Sequence, residues 1–146
     1  MTTIAEMYRR FSSFSLKEDL PYIIAEDESM LAEMNVKQMF EQGIDSKGQQ
    51  LPPYSATTES IKRQKNQPID RTTFRDTGSF HNNLYAEVDD PFIKFDSTDY
   101  KTPILIDKGG EDIFGLTIDN KSKYVKETLF QKIKKYIQDK TGVTFS

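Results

Sequence analysis

Asn83-Leu84-Tyr85-Ala86-Glu87-Val88 is the stretch on which the fold class turns. Leu84, Ala86 and Val88 fall on one side, Tyr85 and Glu87 on the other. A period of two is the signature of a half-buried strand. Pro91 ends it. Phe92-Ile93-Lys94-Phe95 reads as a second strand, closed by Asp96-Ser97-Thr98-Asp99. Pro103-Ile104-Leu105-Ile106 reads as a third, closed by Lys108-Gly109-Gly110. Consecutive strands on short connections predict an antiparallel meander. The sheet region spans residues 77–110.

Helical periods flank it. Over residues 17–42, Leu20, Ile23, Ile24, Leu31 and Met34 make one apolar stripe. Tyr22, Ala25, Ala32, Val36, Met39 and Phe40 fall on a second side. A helix apolar on two sides needs two packing partners. They are either two parts of one core, or the sheet and a neighbouring subunit. Asp27 interrupts the first stripe. A charge there is costly unless paired, so it implies a basic partner or local exposure.

Residues 1–16 read as an arm or short helix, with Ile4, Met7, Tyr8 and Phe11 on one side of residues 2–14. Ser15-x-x-Glu18 has the form of a capping box, and Pro21 suits a first helical turn. Residues 43–76 read as a loop with a short helix capped by Ser55, running to about Lys65. Gly43, Asp45, Gly48 and Pro52-Pro53 are its turn residues. Phe114-Gly115-Leu116 leads into a last helix, 117–141, capped by Thr117. Its apolar face is Val125, Leu129, Ile133, Tyr136 and Ile137, with Phe130 at the edge. Its lysines lie on both flanks of that stripe, an arrangement that snorkelling around a packed helix explains. Gly142 stops it, and Val143-Thr144-Phe145-Ser146 is a short apolar tail. The expectation is one α+β domain over 1–146, a small antiparallel sheet packed by a long helix and a C-terminal helix.

Composition narrows the chemistry. The chain has 146 residues, 36% hydrophobic and 29% charged, with ten Phe and seven Tyr. That is polar but too aromatic for disorder. Without cysteine there are no disulfides or thiolate metal sites. A single histidine, His81, precludes a His-paired metal site in one chain. The net charge of −3 gives no global case for nucleic-acid binding. Residues 121–140 nevertheless carry seven lysines against Glu127 and Asp139, while residues 1–60 are acidic. Such polarity suits either head-to-tail contacts between copies or two solvated helices of opposite sign. No apolar run approaches a membrane span, and the N-terminus lacks a signal-peptide layout. The expectation is a soluble chain made in the cytoplasm.

Catalytic and ligand motifs are weak. Asp45-Ser46-Lys47-Gly48 resembles the start of a calcium loop, but Ala56 occupies the place of the closing glutamate. Asp76-Thr77-Gly78 is the tripeptide of aspartic proteases, yet its flanks, Arg75 and Ser79 to Asn82, are polar. The simpler reading is a tight turn in which Gly78 supplies a positive φ. His81, Asp76 and Ser79 hold the residue types of a triad, but within one local turn. Asp89, Asp90, Asp96 and Asp99 read as solvated turn acids. Phosphate-binding glycine loops are absent. No cofactor, metal or catalytic residue is expected.

The order of the remaining motifs is more specific than any one of them. Phe40-Glu41-Gln42-Gly43-Ile44-Asp45-Ser46-Lys47-Gly48 precedes Leu51-Pro52-Pro53-Tyr54-Ser55-Ala56-Thr57-Thr58 and the basic run Lys62-Arg63-Gln64-Lys65. Then follow Phe74-Arg75-Asp76-Thr77-Gly78-Ser79-Phe80 and Ile113-Phe114-Gly115-Leu116-Thr117. Over roughly residues 20 to 140 this resembles the phage virion-morphogenesis, or tail-completion, family, as a divergent member. There the order is helix, D-x-x-G loop, W-x-P-L-S-like segment, lysine-rich linker, D-T-G-x-L, sheet, F-L-G-L-S and terminal helix. Tyr54 stands for the family's aromatic anchor, and the family's Y-A-x-x-H-Q-x-G and R-P-F segments have no counterpart here.

The resemblance implies a non-enzymatic subunit of the head–tail junction, located in the virion. It also implies a hexameric or dodecameric ring around the DNA channel, with portal or adaptor and tail proteins as partners. DNA would be met only in passing, and no membrane is involved. The expected interface is Tyr22, Ala25, Val36, Met39 and Phe40 with the loop Asp45 to Tyr54, including Pro52 and Pro53. Asp76, Thr77, Gly78, Phe114, Gly115 and Leu116 match motifs structurally. Two other classes remain open: a monomeric adaptor or regulatory binding module of a mobile element, and a small hydrolase using Asp76 and His81.

Overall fold

The expected alternation produces a hairpin. In the computed structural model, which describes residues 3–12 and 15–144, β1 (Leu84–Asp89) pairs antiparallel with β2 (Phe92–Ser97). The register runs from Leu84 opposite Ser97 to Asp89 opposite Phe92. Leu84 and Ala86 are buried on one face, as their period requires.

The third strand is a correction. Residues Thr102–Gly109 form a helix. Four apolar residues do not separate strand from helix by period, and Pro103 suits a first helical turn. The preceding turn also favours a helix. An Asp99 carboxylate oxygen accepts from Lys101 N at 2.8 Å, and its carbonyl accepts from Thr102 Oγ1 at 2.7 Å. Leu105 and Ile106 both turn half inward while Ile104 is exposed, which a strand cannot arrange.

The expected long helix is interrupted. Before it comes α1 (Ile4–Ser12). Then α2 (Leu16–Ala25) ends at a turn over residues 26–27, and α3 (Glu28–Lys37) runs on into one π turn, Gln38–Gln42. Pro21 therefore lies inside α2 rather than at its first turn. The break has a cause in Asp27. Its carboxylate is buried and receives Tyr124 Oη at 2.8 Å and Lys132 Nζ at 2.7 Å. The basic partner implied by the sequence is Lys132.

The remaining helices follow their caps. Ser15, Ser55 and Thr117 side chains accept from Glu18 N, Thr58 N and Asn120 N. They open α2, α4 (Ala56–Gln64) and α7 (Ile118–Tyr124). A four-residue α5 (Ser79–Asn82) precedes the hairpin, and α6 (Thr102–Gly109) follows it. The last helix is α7, a π turn (Val125–Leu129) and α8 (Phe130–Thr141), stopped by Gly142 at φ +77°. The π turn shifts the phase, so Val125, expected inward, is exposed.

The core sits where α3 crosses β1, with Ile23, Leu31, Met39, Phe80, Ile113 and Leu129 among its buried side chains. In α1, Ile4 and Tyr8 are exposed rather than packed. The side chains of Met7 and Phe11 lie outside the described residues. So do positions 2, 13 and 14 of the expected first helix and Phe145-Ser146 of the tail.

Candidate functional site

Two of the sequence motifs become one place. Pro52, Pro53 and Tyr54 form one wall of a cavity of about 510 Å³, and Phe74 to Gly78 form another. Lys62 of α4 enters from a third side, and Lys101, Leu105 and Lys108 close it. Tyr54 is anchored by its hydroxyl, which accepts from Thr73 N at 2.8 Å and lies 3.1 Å from Thr73 Oγ1. Thr72 Oγ1 donates to the Pro52 carbonyl. The diproline loop is thus stitched to the segment leading into the Asp76 turn.

Lys62 is buried and enters no ion pair among the described residues. Its Nζ donates to the Arg75 carbonyl at 2.6 Å and Gln67 Oε1 at 3.3 Å, and rides 4.8 Å from the Tyr54 ring centroid. Neutral acceptors and a ring face satisfy the ammonium without neutralising it. Asp76 lies at the mouth. Lys65 Nζ donates to it at 2.7 Å, and Lys101 Nζ is 3.8 Å from its other oxygen. The Lys65 hydrogen bond holds the Asp76 carboxyl below its ordinary range. Arg75 and Lys108 enter no ion pair among the described residues. The wall is therefore net cationic over an apolar floor of Tyr54, Phe74, Phe80 and Leu105.

Backbone conformation at this wall is unusual. Gly78 has φ +89°, as the turn reading requires. Phe74 adopts φ +53°, in the left-handed region that side chains with a Cβ rarely enter. Strain of this kind persists only where the surroundings impose it, and it clusters at functional places.

The triad types do not converge. Ser79 Oγ donates to the Asp99 carboxylate, which this bond holds below its ordinary pKa. His81 Nε2 instead faces the Thr73 carbonyl at 2.9 Å. Burial pushes the imidazole down to about 4. Asp76 is engaged with lysines rather than with His81. Among the described residues no group of three or more His, Asp or Glu is placed to hold a metal ion. None of the helices there is long and apolar enough to cross a membrane.

The expected interface on α3 is partly a correction. Met39 is 0% exposed, packed in the chain's own core. Asp45 is buried, with Oδ1 accepting from Lys47 N and Gln49 N at 2.9 Å each. Neither can present a surface. Phe40 and Val36 are half-buried. The Phe40 ring meets the His81 ring edge-on at 6.3 Å, with the guanidiniums of Arg71 and Arg75 at 5.7 and 5.3 Å. Tyr22 is exposed, at 76%.

Sequence reasoning missed a pair of buried amides. Asn35 Nδ2 donates to the Ile113 carbonyl at 3.1 Å, and its Oδ1 accepts from Gly115 N at 2.9 Å. Gln38 Nε2 donates to the Gly115 carbonyl at 3.2 Å, and its Oε1 accepts from Thr117 N at 2.9 Å. Together they clamp the Phe114-Gly115-Leu116 motif. Gly115 has φ +108°, and a Cβ there would sit 3.3 Å from Ser46 Cβ. Asn35-x-x-Gln38, amides three apart between Leu31 and Met39, was the available signal.

No protein-family model, curated protein or solved structure matches this chain.

Proposed function

We propose that the chain is a structural subunit of a tailed-phage virion at the head–tail junction, which works by assembling into a ring around the DNA channel. The observation that carries the reading is the distribution of exposed apolar side chains. Tyr22 on α2, Phe92 at the hairpin tip, Ile118 on α7 and Phe130 on α8 all face solvent, on separate elements. Of these, Phe92 and Ile118 border one groove together with Val125, and an exposed apolar surface that is contiguous in this way is the kind that receives other proteins. A ring needs two different, complementary patches on each copy.

The order of motifs supports the phage setting. Its two best-marked elements occupy demanding places, Asp76-Thr77-Gly78 at the cavity mouth and Phe114-Gly115-Leu116 under the amide clamp. The partners of such a subunit are further copies of itself, then portal or adaptor and tail proteins. The test is detection of the chain in purified tailed particles. A fixed copy number per particle is expected. A chain present in infected or lysogenic cells but absent from purified particles would refute the virion role and favour the adaptor reading.

A further inference from the structure

We infer that the cavity between the diproline loop and the Asp76 turn receives the β1–β2 hairpin tip of a second copy of this chain. The inference rests on the assembly reading and names the contact that would build the ring.

The first argument is charge. Arg75 and Lys108 on the cavity wall have no ion-pair partner among the described residues, and Lys62 has only neutral acceptors. At the hairpin tip, Asp89 and Asp90 are exposed and enter no ion pair there either. One surface carries excess cations and the other excess acids, which steers and orients an encounter. The second argument is shape. Phe92 stands opposite Asp89 in the hairpin, one residue beyond Asp90-Pro91, and is 74% exposed. It borders the separate groove beside α7 but is not covered by it. An aromatic knob beside two acids matches a cavity of about 510 Å³ with an aromatic and leucine floor and a cationic wall. Such a volume lies within the roughly 300–1,000 Å³ of ordinary binding pockets.

The third argument is topology. The tip lies at the far end of six-residue strands whose base adjoins α5, so it stands about 17 Å from that base. Knob and hole are different surfaces of one chain. Docking one copy leaves a free tip and a free cavity, so the contact propagates until it closes.

The chain has no native cysteine, which permits a clean crosslinking test. Asp90→Cys and Lys108→Cys variants of the full chain are mixed and oxidised while mass is followed. The expected result is an intermolecular disulfide in the mixture, well above the yield of either variant alone. In parallel, Lys108→Glu and Asp90→Lys should each weaken assembly by about tenfold or more, and the double variant should recover it. Circular dichroism confirms that each variant is folded. Wild-type chain that assembles, with no crosslink and no response to either charge reversal, overturns the docking and leaves the assembly reading standing. Wild-type chain that never assembles overturns the assembly reading itself.

Discussion

Replacing Asn35 by alanine should destabilise the protein far more than the size of the change implies. The residue is 0% exposed, and its amide makes both a donor and an acceptor bond to a segment nearly eighty positions away. Truncation leaves the buried Ile113 carbonyl and the half-buried Gly115 N–H without the amide that satisfies them. Each orphaned group costs about 1–3 kcal/mol, so the pair costs roughly 4 kcal/mol before any cavity term. Against a total stability of about 5–15 kcal/mol for such a domain, that is a large share. Thermal unfolding followed by circular dichroism should show Tm lower by about 12 °C.

Asn35→Asp provides a second reading of the same geometry. The protonated acid can still donate to the Ile113 carbonyl, whereas the carboxylate faces it with like polarity. The variant should therefore lose more stability at pH 8 than at pH 5, relative to wild type. A ΔΔG for Asn35→Ala within about 0.5 kcal/mol of zero, the range of an indifferent surface change, would refute the clamp.

Three further outcomes follow from the same contacts. His81 is held neutral down to about pH 4 while the unfolded chain protonates near 6.5, so between these values the unfolded state binds more protons. Stability therefore falls by about 3 kcal/mol from pH 8 to pH 4, and His81→Gln should flatten that slope in denaturant titrations; an unchanged slope would count against the burial of the imidazole. Tyr124→Phe withdraws one of the bonds to the buried Asp27 carboxylate and should cost about 2 kcal/mol, read as a shift in urea midpoint. Phe40→Ala removes a ring packed on His81, Arg71 and Arg75, and should lower stability by about 3 kcal/mol without any requirement for a partner; a variant as stable as wild type would return Phe40 to the list of interface residues.

Much of the architecture was legible because it is written locally. Ser15, Ser55 and Thr117 announce helix starts by side chains that reach three residues on, and Leu84–Val88 announces a strand by its period. What escaped depends on distant partners. Pro103–Ile106 is too short for its period to decide, and the Asp99 turn before it tips the balance toward helix. Met39 looked available because a helix apolar on two sides does not reveal which side its own chain covers, and Asp45 because a turn aspartate reads as solvated until its carboxylate is seen to accept from Lys47 N and Gln49 N. The cavity was illegible as a whole. Its walls come from residues 52–55, 58–62, 72–80 and 101–108, and the stitching of Tyr54 to Thr73 and of Thr72 to Pro52 brings the first and third together. Lys62 gave no signal, since a lysine in a basic run reads as solvated.

The mass of the purified full chain in solution, by native mass spectrometry across a concentration series, bears most directly on the central claim. A ring subunit predicts one dominant closed species, hexameric or dodecameric, that dissociates cooperatively on dilution. A chain that remains monomeric at every concentration up to its solubility limit would contradict it.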